Sequence, residues 1–188
     1  MDILKIVEVL LFASSEPLND KRFNYVMKGV KSSKLKKYID ELNKYYKKNK
    51  KGFSVCQIAG GYKILTCPEY HIYIERLFQR KRRNTLTKAS MEALSIIAYK
   101  QPVSKVEIES IRGVECGSVI NTLMEKKMIT IRGRSKGAGR ALLFVTTQHF
   151  LEIFGLKKKA DLPKLDELSD LAGEIKVPTL FEIDNETK

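Results

Sequence analysis

The chain has no tryptophan, and only three cysteines, two histidines and five prolines in 188 residues. Cys56, Cys67 and Cys116 are far apart and form no C-x-x-C pair, and only His71 and His149 could join them. Neither a zinc site nor a disulfide framework is expected, and a reducing compartment is the natural setting. No apolar run approaches the ~20 residues that a membrane span requires. The opening stretch MDILKIVEVLLF is apolar, but Asp2, Lys5 and Glu8 interrupt it at helical intervals and no small-x-small cleavage site follows. It reads as an amphipathic first helix of a cytoplasmic protein. No Ser/His/Asp or Cys/His set is apparent, and His71 and His149 read as surface or partly packed residues. The expectation is a protein that is not an enzyme and needs no cofactor or metal.

Charge is what the chain has in plenty, with 35 Lys and Arg against 22 Asp and Glu, a formal +13. It is unevenly spread. From Ala160 onward eight acids face three lysines, a net −5, which leaves +18 for the rest. A body of that sign attracts polyanions, DNA first among them, whereas the tail would fold back on the body or repel the same ligands. The 43% hydrophobic content argues against wholesale disorder.

The stretch from Met91 to Leu156 sets the architecture. Met91, Leu94, Ile97 and Ala98 recur at helical spacing until Gln101-Pro102 stops them. Ser104 stands at an N-cap with Glu107 three residues on, the pattern of a capping box. That helix, ending at Arg112 before Gly113, would turn Val106 or Ile108 and Ile111 inward. A third helix, about Gly117 to Lys127, carries Val119, Ile120, Leu123 and Met124. Period two then takes over: Ile129 and Ile131, a Gly-rich loop, and Leu142, Phe144 and Thr146. Helix, helix, turn, helix, hairpin is the order of a winged helix-turn-helix.

The first eighty residues repeat this plan. Ile3, Ile6, Val7, Leu10 and Leu11 form one stripe, and Pro17-Leu18-Asn19 mirrors Pro102-Val103-Ser104. Aligning the prolines lays Phe23 on Ile108 and Val26 on Ile111. Asn19 to Lys28 forms a second helix closed by Gly29. Ser32 or Ser33 caps a third helix bearing Leu35, Tyr38, Ile39, Leu42 and Tyr45 or Tyr46. A hairpin follows with Gly60-Gly61 as its turn, then a helix from Pro68 to Phe78. The predicted fold class is therefore mainly α with small β-hairpins (α+β): two tandem winged helix-turn-helix domains and an acidic tail. The expected divisions are 1–80, a basic linker at 81–86, a second domain at 87–160 and a partly mobile tail at 161–188.

Several basic segments have competing readings. RGRSKGAGR, Arg132 to Arg140, has the glycines and cations of a phosphate cradle. A P-loop, however, needs G-x-x-x-x-G-K-[ST] between strand and helix, and this segment lies between two strands. It reads as a wing tip, with Arg132, Arg134 and Lys136 as candidates for phosphate contact. The lysines from Lys34 to Lys51 and the RKRR cluster at Arg80 to Arg83 read as solvated surface. The third helix of the second domain would show a DNA groove Glu115, Ser118, Asn121, Thr122, Glu125 and Lys126. Its two carboxylates oppose phosphate at roughly 1 kcal/mol or more each, which counts against sequence-specific reading. The +18 body keeps a DNA-binding winged-helix regulator as the alternative.

The segments IIAYKQPVSKVEIESIRGV, NTLMEKKMI, IRGRSKGAGRALLFVTT and FLEIFGLKKKADLPKL, in this order, resemble segregation and condensation protein B (ScpB), an accessory subunit of the bacterial SMC–kleisin complex. The match runs from about Leu86 to Leu165, and the first eighty residues share the family's layout. The resemblance implies a non-enzymatic homodimer formed chiefly through the first domain. It also implies that the winged helices hold the central segment of the kleisin ScpA, which bridges the SMC ATPase heads during chromosome condensation, segregation and cell division. Leu10, Leu11, Phe12 and Leu18 are then the dimer candidates, and Tyr99, Gln101, Arg112, Arg140 and Phe144 the kleisin candidates. Core burial is the competing explanation for each aliphatic and for Phe144; an ion pair inside the domain competes for the arginines. Val177 to Ile183 could dock on a partner as an extended strand.

Overall fold

The computed structural model describes residues 2–28, 35–78, 86–137 and 139–163. The expected roles of Gly29, Ser32, Ser33, the Arg80–Arg83 cluster and the tail beyond Pro163 lie outside the described residues. The chain divides between Arg80 and Lys81 into two compact units, each mainly helical with a small antiparallel sheet, an α+β organisation. Among the described residues no helix is long and apolar enough to cross a membrane.

Unit 1 runs α1 (Ile3–Ala13), α2 (Asp20–Met27), α3 (Leu35–Lys48), β1 (Phe53–Ile58), β2 (Gly61–Thr66), a 3-10 turn (Pro68–Tyr70) and α4 (His71–Phe78). Asp2 caps α1 by accepting from the Leu4 N–H, and Asn19 caps α2 by accepting from the Arg22 N–H. Val7, Leu11, Leu18, Phe23, Leu35, Ile39, Leu42, Tyr46 and Val55 form the core. Two side chains tie helix to helix and helix to sheet. Tyr46 Oη donates to Glu8 Oε1 at 2.8 Å, joining α3 to α1. Asn43 donates to the Val55 carbonyl and accepts from its N–H, both at 2.8 Å, fixing α3 on β1.

The β1–β2 turn differs from the expectation by one residue. Ile58 pairs with Gly61, so Ala59 and Gly60 are the loop, with φ of 48° and 71°. Two consecutive positive φ values give the primed turn whose twist suits a hairpin. Gly61 is required for another reason: a Cβ there would lie 2.9 Å from Pro17 Cβ and 3.0 Å from the Leu18 carbonyl carbon. This close approach lets Leu18 bridge to Tyr62 with reciprocal backbone bonds of 2.8 and 2.9 Å. The segment expected as one helix from Pro68 starts instead as a 3-10 turn.

Unit 2 runs α5 (Lys88–Lys100), β3 (Val103–Ser104), α6 (Lys105–Arg112), α7 (Gly117–Glu125), β4 (Ile129–Arg134), β5 (Leu142–Thr146), α8 (Gln148–Ile153) and a 3-10 turn (Lys159–Asp161). The sheet order is β3-β5-β4, and Val103 pairs with Phe144 as Leu18 pairs with Tyr62 in unit 1. The residue after each proline thus joins its unit's hairpin. The capping box at Ser104 and Glu107 forms completely, and Gly113 ends α6 with a left-handed φ of 73°. Ile97, Ile108, Cys116, Ile120, Leu123, Phe144 and Phe150 lie in the core.

Of the alternatives Val106 and Ile108 it is Ile108 that turns inward, while Ile111, also expected inward, points out. On α6 only Ile108 is fully buried, whereas Val106 and Ile111 are exposed. An eight-residue helix lying on a three-stranded sheet and α5 has room for one deep contact, and the periodicity offered three. Met124 and Ile131 are likewise at the surface.

Candidate partner-binding surfaces

In unit 1, α1 buries Val7 and Leu11 and leaves Val9 and Phe12 on its outer face. Phe12 is 86% exposed, which makes its ring the most solvent-exposed large apolar group of the described residues. Leu10 packs partly against the core, while Leu11 and Leu18 are within it. The dimer candidates therefore fall into two sets: Phe12 and Leu10 are reachable, and Leu11 and Leu18 hold the unit together. A further apolar surface was not read from the sequence. Ile72, Tyr73 and Leu77 stand exposed on α4, and none of the described side chains of α4 belongs to the core cluster. The signal was present, since Tyr73 and Leu77 sit four apart, but a helical stripe ordinarily marks a buried face.

In unit 2 the five kleisin candidates have different environments. Phe144 is in the core, against the chain's own helices. Gln101 clamps β5: its Oε1 accepts from the Thr146 N–H at 2.9 Å and its Nε2 donates to Thr146 Oγ1 at 2.9 Å and the Ala98 carbonyl at 3.0 Å. Tyr99 Oη donates to the Pro163 carbonyl at 2.8 Å, and Lys159 Nζ donates to the Gln101 carbonyl at 3.4 Å. Residues 159–163 are thereby strapped over the end of α5. Burial raises the Tyr99 hydroxyl pKa above the ordinary tyrosine value.

Arg112 is the unusual one. Its side chain is only 7% exposed, and among the described residues its partner is Glu92 Oε2, 3.3 Å from Nη2. Nε and Nη1 are buried with no acceptor among the described residues. A buried donor left unmet costs about 1–3 kcal/mol, more when charged, so a native protein rarely keeps two on one side chain. Nearby, Glu109 Oε1 accepts from the Cys116 N–H at 2.9 Å, which lowers the Glu109 pKa, and Lys105 bridges Glu109 and Glu115 at 3.4 and 3.3 Å. Burial pushes the Cys116 thiol pKa up, and the side chain packs in the core as a small apolar group. Val106, Ile111 and Val114 are exposed on α6 and the loop after it.

The remaining candidates lie on the β4–β5 hairpin. Arg132, Arg134, Lys136 and Arg140 are all exposed. Arg134 Nη1 donates to the Arg140 carbonyl at 3.2 Å. Among the described residues no group of three His, Cys, Asp or Glu side chains is placed to hold a metal.

The family described as Segregation and condensation complex subunit ScpB matches residues 5–165. The chain is 42% identical over 168 residues to the segregation and condensation protein B of Alkaliphilus metalliredigens, covering 89% of this chain and 87% of that one. The protein of the same name from Symbiobacterium thermophilum is 41% identical over 174 residues, 93% of this chain and 78% of that one. The crystal structure of ScpB from Mycobacterium tuberculosis is 25% identical with a TM-score of 0.39, covering 83% of this chain and 98% of that one. On the family match and the 42% and 41% identities to the two proteins from Alkaliphilus and Symbiobacterium, the chain belongs to the ScpB family of segregation and condensation complex subunits.

Proposed function

We propose that this protein is a non-enzymatic, homodimeric adaptor that holds the central segment of the kleisin ScpA and through it serves the SMC ATPase in chromosome condensation and segregation. Each unit is read as a winged helix that has given up base reading for protein docking, since fold alone does not fix function. In this reading the protein works in the cytoplasm at the nucleoid, and the acidic tail is an appendage to the second domain.

Family membership across residues 5–165 is the observation that carries the proposal. Two features of the surface support it. Val9 and Phe12 on α1 offer an apolar face of the kind a second copy would cover. Arg112 holds two buried donors without acceptors, beside the exposed loop that carries Val114. A docked segment that shifts this loop and supplies an acceptor would relieve that cost on binding. Two exposed carboxylates, Glu115 just before α7 and Glu125 at its last residue, disfavour a DNA-reading helix there.

The test is light scattering on a sizing column, with the protein alone, with a peptide from the middle of its host's ScpA, and with a duplex of about 20 base pairs at physiological salt as competitor. A dimer that co-elutes with the peptide in the presence of the duplex supports the adaptor. A monomer that ignores the peptide contradicts it.

A further inference from the structure

The β4–β5 hairpin carries cations that the core does not use, and of these only Arg140 is also a kleisin candidate. Arg132, Arg134, Lys136 and Arg140 project from a ribbon of about a dozen residues, and none has an ion-pair partner among the described residues. Lys126 and Lys127 stand at its base, just before β4. Four like charges so close repel one another in the free protein, which a polyanion would reverse.

The backbone gives a second and independent sign. Arg140 sits at φ 42°, in the left-handed region that costs a non-glycine residue about 1–2 kcal/mol. Gly137, by contrast, has no such conformation to explain it, and a Cβ there would meet nothing within 4 Å. Neither the fold of the turn nor its packing calls for a glycine at 137. Removing the side chain at a cationic tip lets the backbone come close to something outside the protein. One strained cation, Arg140, near a glycine that the turn does not need is a feature of a contact surface and not of a solvated turn.

We propose that this hairpin is a sequence-independent phosphate clamp for duplex DNA, with Arg132, Arg134, Lys136 and Arg140 each neutralising one phosphate. The glycine tip lets the main chain approach the sugar–phosphate backbone. Helix α7 takes no part in base reading, because the exposed Ser118 and Asn121 stand between two exposed carboxylates, Glu115 just before the helix and Glu125 at its end. Arg132, Arg134 and Lys136 are not among the kleisin candidates, so substitutions at Arg132 and Arg134 test the clamp apart from the adaptor.

Fluorescence anisotropy of the full chain with labelled duplexes tests it. Four phosphate contacts predict a slope of about −3.6 for log Kobs against log salt, so affinity falls about 150-fold between about 50 and 200 mM salt. Two unrelated duplex sequences should bind equally within about twofold. Arg132→Ala with Arg134→Ala should halve the slope to about −1.8, at an unchanged melting temperature and unchanged affinity for the ScpA peptide. No duplex binding at about 50 mM salt would overturn the proposal, and so would double-variant binding equal to wild type, which would place the grip elsewhere on the basic body. A sequence preference that survives the double variant would return base reading to α7 and contradict it. Loss of ScpA-peptide binding with duplex binding intact would assign these cations to the protein partner and also refute the clamp.

Discussion

Gln101 and Thr146 are 45 residues apart in sequence and share three hydrogen bonds: the Gln101 carboxamide meets the Thr146 N–H at 2.9 Å and its hydroxyl at 2.9 and 3.1 Å. This pair locks the exit of α5 to the end of β5.

Gln101→Ala should cost unit 2 about 1–3 kcal/mol, because the Thr146 N–H loses its acceptor and stays partly buried. Denaturant unfolding of the full chain should show the loss. A midpoint unchanged from wild type would mean that water replaces the amide.

The capping box predicts a pH signature. Hydrogen bonds from the Ser104 side chain and backbone lower the Glu107 pKa below the ordinary glutamate value. A depressed carboxylate contributes stability that is fully present above its unfolded pKa, about 4.3, and is lost as pH falls through the folded value. Ser104→Ala should therefore destabilise the protein by about 1 kcal/mol near neutrality. It should also flatten the loss of stability below about pH 4. Unfolding curves of both proteins across that range supply the check, and parallel curves would refute the coupling.

Neighbouring residues on α1 should behave in opposite ways. Leu11→Ala opens a cavity in the core and should cost about 2–5 kcal/mol. Phe12→Ser should leave the melting temperature of a monomer unchanged yet shift the sedimentation coefficient toward the monomer. A Phe12 variant that sediments like wild type would move the dimer surface elsewhere, with the exposed face of α4 the next to test.

Most of the element order was legible because the chain follows local rules closely. Ser104 with Glu107 marked the start of α6, Gly113 marked its end, and the change from helical to alternating spacing at Ile129 marked the hairpin. What the sequence could not convey was which of several apolar residues a short helix buries. Ile108 and not Val106 or Ile111 faces the core, and that choice depends on the angle at which α6 meets α5 and β5. The same limit hid the exposed Ile72, Tyr73 and Leu77 on α4. It also obscured the division within the dimer candidates, where Leu11 and Phe12 are adjacent in sequence but face opposite ways. Arg112 was visible as an arginine before a helix-ending glycine, but its two unmet donors follow from tertiary burial alone.

The most direct test of the adaptor account is calorimetric titration of the central ScpA segment into the full chain, wild type and Arg112→Met, alongside thermal melts. The account predicts saturable binding to wild type and at least about tenfold weaker binding to Arg112→Met, a change of about 1.4 kcal/mol. The variant should melt at the wild-type temperature or above, since an apolar side chain removes two buried, unpaired donors. Equal affinities would contradict the role of Arg112, and absence of binding to the wild type would contradict the adaptor itself.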